Sequence, residues 1–247
     1  MSTPPRRPRN DLAQYDDLAA EWWRAEGAFA ALHWLAWARG QLIPRPDGPG
    51  ALLVDLACGG GLLAPYAGGY RHVGVDLSES ALHHARAAGV AVVRGDVTAL
   101  PLPDAVADVV VAGEIFEHVD DLDAAVAETA RILKPYGTLL VDTIADNPLS
   151  RLVVGYLQER LPGGPPPRIH DPALFVAPER LRARFDASGV SLRTRGLRVH
   201  PGDYLRFLLD RRRLVRLLPA MTALTLYQGI GFRREGSADS DDASRDP

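Results

Sequence analysis

Two short stretches of the chain carry residues able to do chemistry. In LLVDLACGGGLLAPY, residues 52–66, an apolar strand-like run containing Asp55 leads into Cys58 and three consecutive glycines, Gly59 to Gly61. A side chain at those glycines would hold a ligand away from the backbone, and glycine also permits the positive φ of a tight turn. If a helix opens after the glycines, its N-terminus favours a carboxylate or a phosphate. Alone, the glycines also fit a purely structural turn, and Gly59-x-Gly61-x-x-Ala64 fits the dinucleotide fingerprint. Three acids narrow the choice. Asp55 is placed to receive a cationic amine or to orient the loop. Asp76 ends the next strand-like run and offers two oxygens to a ribose hydroxyl pair. Asp96, in RGDV, can accept from an adenine amino group; Leu77 and Val97 directly follow these two acids. Each acid alone fits a helix cap or turn equally well. At successive strand ends they favour a nucleoside that carries an amino acid.

The second stretch is GEIFEHVDD, which holds Gly113, Glu114, Glu117 and His118. Glu114 lies three residues before Glu117 and four before His118, so a helical segment would project all three to one side. Two carboxylates and an imidazole suit an oxygen-preferring divalent cation such as Mg²⁺. Two other readings stand beside it: Glu114 touching cofactor or substrate, and His118 as a general base, neutral at physiological pH with an ordinary pKa of about 6.5. His170, in RIHDP after a proline- and glycine-rich stretch, is a further catalytic candidate. His33, His72 and His200 read as structural, and Cys58 has no basic neighbour to make it a nucleophile.

The elements that must position these residues are legible as alternation. ALLVDLA, RHVGVDL, VAVVRGD, ADVVVAGE and GTLLVDTI read as strands, separated by helix-like segments such as ESALHHARAAG and LDAAVAETARILKP. Near-continuous apolar strands require a parallel sheet covered on both faces, which predicts a doubly wound α/β fold with helices on both faces. Residues 11–48, with aromatic residues at helical spacing, predict a helical N-terminal cap; residues 49–234 form the α/β domain, with insertions at about 146–180 and 202–218. In the second insertion YLRFLLDRRRLVRLL predicts one helix, followed by a strand in TALTLYQG. Residues 1–10 and 235–247 are too polar or proline-rich to bury a core and predict disordered tails.

The chain has 247 residues, 28 basic against 31 acidic side chains, and a single cysteine. A net charge of −3 gives no pull toward nucleic acid, and one cysteine excludes an internal disulfide framework and suits a reducing compartment, the cytoplasm by default. No stretch approaches the roughly 20 apolar residues of a membrane span.

DLACGGG, GVDLS, RGDVTALPLPDAVADVVVAGEIFEHV and ARILKPYGTLLVDT resemble the ordered motifs of class I S-adenosylmethionine-dependent methyltransferases over roughly residues 50–145. EWWRAEGAFAALHWLAWAR, EIFEHV, DNPLSRLVVGYL, IHDPALFVAPERL and GLRVHP extend the resemblance to the ubiquinone-biosynthesis O-methyltransferases across most of the chain. The resemblance implies S-adenosylmethionine as cofactor, contacts from Arg39, Ala57, Asp76 and Gly113, and metal ligation by Glu114, Glu117 and His118. Ala57 stands where the family pattern has glycine; alanine still permits a close backbone contact if its φ is negative. The implied reaction is methyl transfer to a phenolic, catecholic or hydroxyquinone hydroxyl. An NAD(P)-dependent oxidoreductase and a non-catalytic S-adenosylmethionine-binding module are the competing readings. LSRLVVGYLQERL and RFLLDRRRLVRLL, apolar and arginine-rich, fit either packing over the acceptor pocket or the peripheral membrane contact that the resemblance suggests.

Overall fold

The structure, a computed structural model, describes residues 7–235. The expected tails therefore lie outside the described residues except at 7–10 and 235. One eight-stranded sheet runs through the domain. Its first five strands are β1 (Leu52–Leu56), β2 (Arg71–Asp76), β3 (Ala91–Arg94), β4 (Ala107–Gly113) and β5 (Leu133–Ile144). These are parallel to one another, whereas β6 (Val190–Val199), β7 (Leu217–Ala220) and β8 (Leu226–Arg233) complete the sheet through antiparallel pairings, in the order β3-β2-β1-β4-β5-β8-β6-β7. The strand order reverses between β1 and β4, so the crevice beyond their carboxyl ends is where a doubly wound sheet takes its ligand. Asp55 and Gly113 stand at that reversal.

The central strands are apolar without alternation because both faces are covered. Leu53, Val54, Val109, Val110, Val111, Leu139 and Val141 are fully buried. The helices are α1 (Ala13–Asp17), α2 (Ala30–Gly40), α3 (Glu79–Ala87), α4 (Leu122–Ile132), α5 (Pro148–Leu152), α6 (Pro178–Ala187) and α7 (Pro201–Leu209). Their starts follow capping chemistry: the side chains of Ser78, Asp121, Asn147 and His200 each accept a backbone N–H of the first turn of α3, α4, α5 and α7. His200 thus has the structural role read from the sequence.

Two expectations are corrected, and the cap is resolved into its parts. No α-helix follows the glycine turn: Pro65 and three glycines disfavour one, and only a 3₁₀ turn, Ala64–Tyr66, forms there. The expected helical cap consists of α1, a 3₁₀ turn and α2, separated at the Arg24–Gly27 turn. The arginine-rich helix predicted in YLRFLLDRRRLVRLL ends at Asp210, and Leu217 and Leu218 belong instead to β7, paired with Val199 and Arg198.

Candidate functional site

A cavity of about 550 Å³ opens at the carboxyl ends of β1, β2 and β4 and is roofed by the N-terminal segment. Arg39, Asp55, Ala57, Gly59, Asp76, Leu77, Asp96, Val97, Gly113, Glu114, His118 and His170 all line it. Gly61 does not. A Cβ there would come within 2.9 Å of the Ala85 backbone on α3, and its φ is +78°, so Gly61 serves the turn and the packing of α3 rather than the cavity.

The bare backbone at Gly59 and Gly60 has a use that the sequence did not announce. A Cβ on either would fall within 2.5 Å of the Trp22 ring, which rests flat on the turn. Trp22 is buried and stacks on Phe29 with ring centroids 4.3 Å apart, and Trp23 Nε1 donates to Gly60 O at 2.9 Å. The glycines therefore admit the cap as well as a ligand. Ala57 has φ +51°, so the condition for an unstrained alanine is not met: the position demands the left-handed conformation that glycine adopts freely and alanine does not.

Asp76 holds the turn from the other side. Its Oδ2 accepts from Gly59 N at 2.8 Å and its Oδ1 from Ser78 N at 2.9 Å, while burial pushes its carboxyl above the usual range. Each oxygen keeps a second lone pair for the cavity. Asp96 uses Oδ1 for both bonds of an Asx turn with Thr98. Leu77, 41% exposed, flanks the same mouth as buried Val97. Asp55 is buried with His72 Nε2 at 3.6 Å, which brings His72, read as structural, to the site's edge.

Arg39 reaches the cavity floor because Gly113 lacks a side chain: a Cβ on Gly113 would lie 1.3 Å from Arg39 Nη1. The guanidinium pairs with Asp142 at 3.2 Å. Asp142, fully buried, has no hydrogen-bond partner at either oxygen, and burial pushes its carboxyl up to about 6. Sequence reading missed this residue, although an acid inside the apolar run TLLVDTI carries the same signal as Asp55 and Asp76.

Glu114 does not share a helical face with Glu117 and His118. Its φ is +53° and its N–H donates to Asp142 O at 2.8 Å, so it terminates β4 before the 3₁₀ turn Phe116–His118 begins. Burial, then the charges of Glu117 and Asp142, raises its carboxyl well above the usual range. Glu117 has no exposed surface, and its Oε2 accepts from Thr143 Oγ1 at 2.7 Å while Oε1 has no partner. Burial pushes Glu117 up to about 7, against the lowering pull of that bond.

The groups that converge are Glu117, His118 and His170, each offering a ligand atom within 4.8 Å of the others. The His118 and His170 rings lie 5.1 Å apart. Burial lowers both imidazoles, His118 to about 4, so both are neutral and able to act as ligands or proton acceptors. His170 Nδ1, like Glu117 Oε1, is buried without a partner. His170 rather than Glu114 thus stands with Glu117 and His118, and two imidazoles with one carboxylate form a donor set that suits a transition-metal ion better than Mg²⁺. Cys58 is buried and its thiol is pushed up, as expected for a group without nucleophilic duty.

Residues 54–141 match the methyltransferase domain family. The ubiquinone biosynthesis O-methyltransferase of Hahella chejuensis is 34% identical over 207 residues, covering 78% of this chain and 85% of that one. The enzyme of the same name from Caulobacter vibrioides is 35% identical over 205 residues, covering 74% and 81%. A SAM-dependent methyltransferase of Thermotoga maritima superposes with a TM-score of 0.66 at 21% identity, covering 91% of this chain and all of that one. The [4+2]-cyclase SpnF shares the fold at a TM-score of 0.56 and 18% identity, over 96% of this chain and all of that one, so fold alone does not fix the reaction. Sequence identity over about three quarters of the chain does what fold likeness cannot: this chain is an S-adenosylmethionine-dependent methyltransferase and belongs to the ubiquinone biosynthesis O-methyltransferase family.

Proposed function

We propose that the enzyme methylates a hydroxyl of a phenol, catechol or hydroxyquinone. The observation that carries this reading is the pair of neutral imidazoles, His118 and His170, on the cavity wall beside the Gly113–Glu114 strand end, with the fully buried Glu117 carboxyl close behind them. The names of the relatives support oxygen as the acceptor.

S-adenosylmethionine supplies the electrophilic methyl group. Asp76 accepts its ribose hydroxyls, Leu77 and Val97 flank its adenine, Asp96 receives the adenine amino group, and Asp55 and Arg39 face its amino-acid end. His118 takes the proton of the acceptor hydroxyl as the oxygen bonds to the methyl carbon, and the carbon–sulfur bonding pair stays on sulfur. The roof formed by Tyr15, Trp22 and Phe29 excludes water, which leaves positioning and desolvation as the main sources of rate. In the alternative to a general base, the unpartnered Glu117 Oε1 and His170 Nδ1 fit a divalent cation that would also occupy the single lone pair of His118, which then takes no proton from the acceptor. Such an ion would lower the hydroxyl pKa from about 10 as a Lewis acid.

The test incubates the full chain with methyl-labelled S-adenosylmethionine and 4-hexylcatechol. Label on a catechol oxygen supports the reading; label on ring carbon, or no transfer by a protein that binds S-adenosylhomocysteine, overturns it. For the cation, activity falls on chelation and returns with Zn²⁺ or Mn²⁺; full turnover after exhaustive chelation removes the metal from the scheme.

A membrane contact is favoured by one surface. Leu152, Leu157, Leu161, Leu205 and Leu209 are 47–90% exposed, and Arg151, Arg160 and Arg206 lie among them in sequence. No helix among the described residues is long and apolar enough to cross a bilayer. Co-sedimentation with vesicles containing phosphatidylglycerol, lost in Leu205→Glu/Leu209→Glu, tests peripheral binding.

A further inference from the structure

His118 is gripped by a residue 108 positions away. Asn10 Nδ2 donates to the His118 carbonyl oxygen at 3.0 Å, and Asn10 Oδ1 lies 2.6 Å from His118 Nδ1. The first bond decides the second. A carbonyl oxygen can only accept, so the amide must present its NH₂ there and its oxygen to the ring. An amide oxygen also only accepts, so Nδ1 must carry the hydrogen. In a neutral imidazole the other nitrogen, Nε2, is then the bare acceptor. Nε2 faces the Tyr15 hydroxyl at 3.4 Å, and both side chains form part of the cavity wall.

We propose that Asn10 is a positioning residue that fixes His118 as the Nδ1–H tautomer and so leaves the Nε2 lone pair facing the acceptor. The inference rests on the role given to His118 under Proposed function, but the tautomer itself does not depend on that role.

The backbone is built for this contact. Asn10 has φ +56°, a left-handed conformation that asparagine tolerates better than other residues with a side chain. Its N–H donates to Arg168 O at 3.2 Å. The preceding Arg9 donates to His170 O at 2.8 Å and Gly155 O at 2.9 Å, and pairs with Glu159 at 2.9 Å, so the segment is tied to the loop that carries the second histidine. Tyr15 OH, the other partner of the ring, stays protonated because burial raises its pKa, and it can donate to Nε2. An acceptor hydroxyl that displaced it would meet the same lone pair.

The backbone also chooses the test. Asn10→Gly keeps the left-handed conformation without strain and removes only the amide, whereas alanine would add backbone strain. Asn10→Asp keeps an oxygen for Nδ1–H. Tyr15→Phe removes the partner on Nε2. The tautomer is read from the ring ¹⁵N shifts of His118 in the full-length protein, assigned by the signals lost in His118→Gln.

Native protein and Tyr15→Phe should show Nδ1–H, Asn10→Gly a mixture containing Nε2–H, and Asn10→Asp a return to Nδ1–H. With 4-hexylcatechol, Asn10→Gly should lower kcat by about 10- to 100-fold, the usual range for losing an outer partner of a functional histidine. The KM for S-adenosylmethionine should stay unchanged, and Asn10→Asp should recover most of kcat. An unaltered Nδ1–H signal in Asn10→Gly overturns the proposal. If the tautomer shifts as stated while kcat holds, the proposal stands and the role assigned to His118 falls instead.

Discussion

Replacing Ala57 with glycine should make the protein more stable, although it removes a methyl group from a half-buried position. Ala57 is held at φ +51°. An L-residue in the left-handed region carries about 1–2 kcal/mol of strain that glycine does not. Against this, glycine gives the unfolded chain more freedom, which returns about 0.4–1 kcal/mol. Loss of the methyl contact subtracts a few tenths more, since a CH₂ fully removed from water is worth about 0.8 kcal/mol and Ala57 is only partly covered. The net is a gain of about 0.5 kcal/mol, or about 1–2 °C in Tm for a domain of this size. The assay is thermal unfolding at neutral pH with and without S-adenosylhomocysteine, beside Ala112→Gly as control. Ala112 is fully buried in β4 and is not in the left-handed region, so its replacement should lose stability. A destabilised Ala57→Gly that behaves like the control would refute the reasoning, because the strain would then be relieved elsewhere in the turn.

The other expectations rest on the cavity floor. Gly113→Ala sets a methyl on Arg39 Nη1 and must break the pair with buried Asp142, which costs about 3–5 kcal/mol when one partner is lost; chemical denaturation reads the loss and calorimetry the accompanying loss of S-adenosylhomocysteine binding. Glu117 titrates at about 7 when folded against an ordinary 4.5, so the folded state binds more protons than the unfolded state between those values and stability falls as pH rises through them. At about 1.4 kcal/mol per pH unit this contribution amounts to about 3 kcal/mol, fully present below the window and fully lost above it; chelator-treated Glu117→Gln should lack the slope, and a variant that keeps it would place the titration on Glu114 or Asp142. Binding of S-adenosylmethionine should release more protons than binding of S-adenosylhomocysteine, measured by calorimetry in two buffers of different ionisation heat.

The parallel core was legible because its signal is local. Five apolar runs ending in Asp55, Asp76, Arg94, Gly113 and Ile144 specify buried strands, and the acids that interrupt them stand out by their cost. The glycine turn was legible as bare backbone, but its occupant was not: Trp22 lies 37 residues before Gly59, and no spacing rule connects them. Glu114 was misplaced because a helical face was assumed through a residue that the fold holds left-handed, a conformation no side chain announces. The end of α7 failed for another reason. RFLLDRRRLVRLL fits a helical period, but pairing of Leu217 and Leu218 with β6 overrides that propensity. His118 and His170 are 52 residues apart, and Asn10 is farther still, so their convergence belongs to the tertiary structure alone.

The charge of the cavity gives the site a direction. Asp55, Asp76, Glu114, Glu117 and Asp142 are gathered at the strand ends, with Arg39 as the cation that pulls Glu114 and Asp142 back toward ionisation. Burial raises the carboxyls of Asp76, Glu114, Glu117 and Asp142, so the strand ends limit their own charge by holding protons. On the proposed binding mode, the sulfonium and ammonium of the donor replace those protons as the compensating charge, at a dielectric where each neighbouring cation counts far more than in water. Methyl transfer turns the sulfonium into a neutral thioether and removes one of those cations. The carboxyls that favoured the donor then favour reprotonation over the product, so the same buried acids that bind the methyl donor weaken the hold on what remains after transfer.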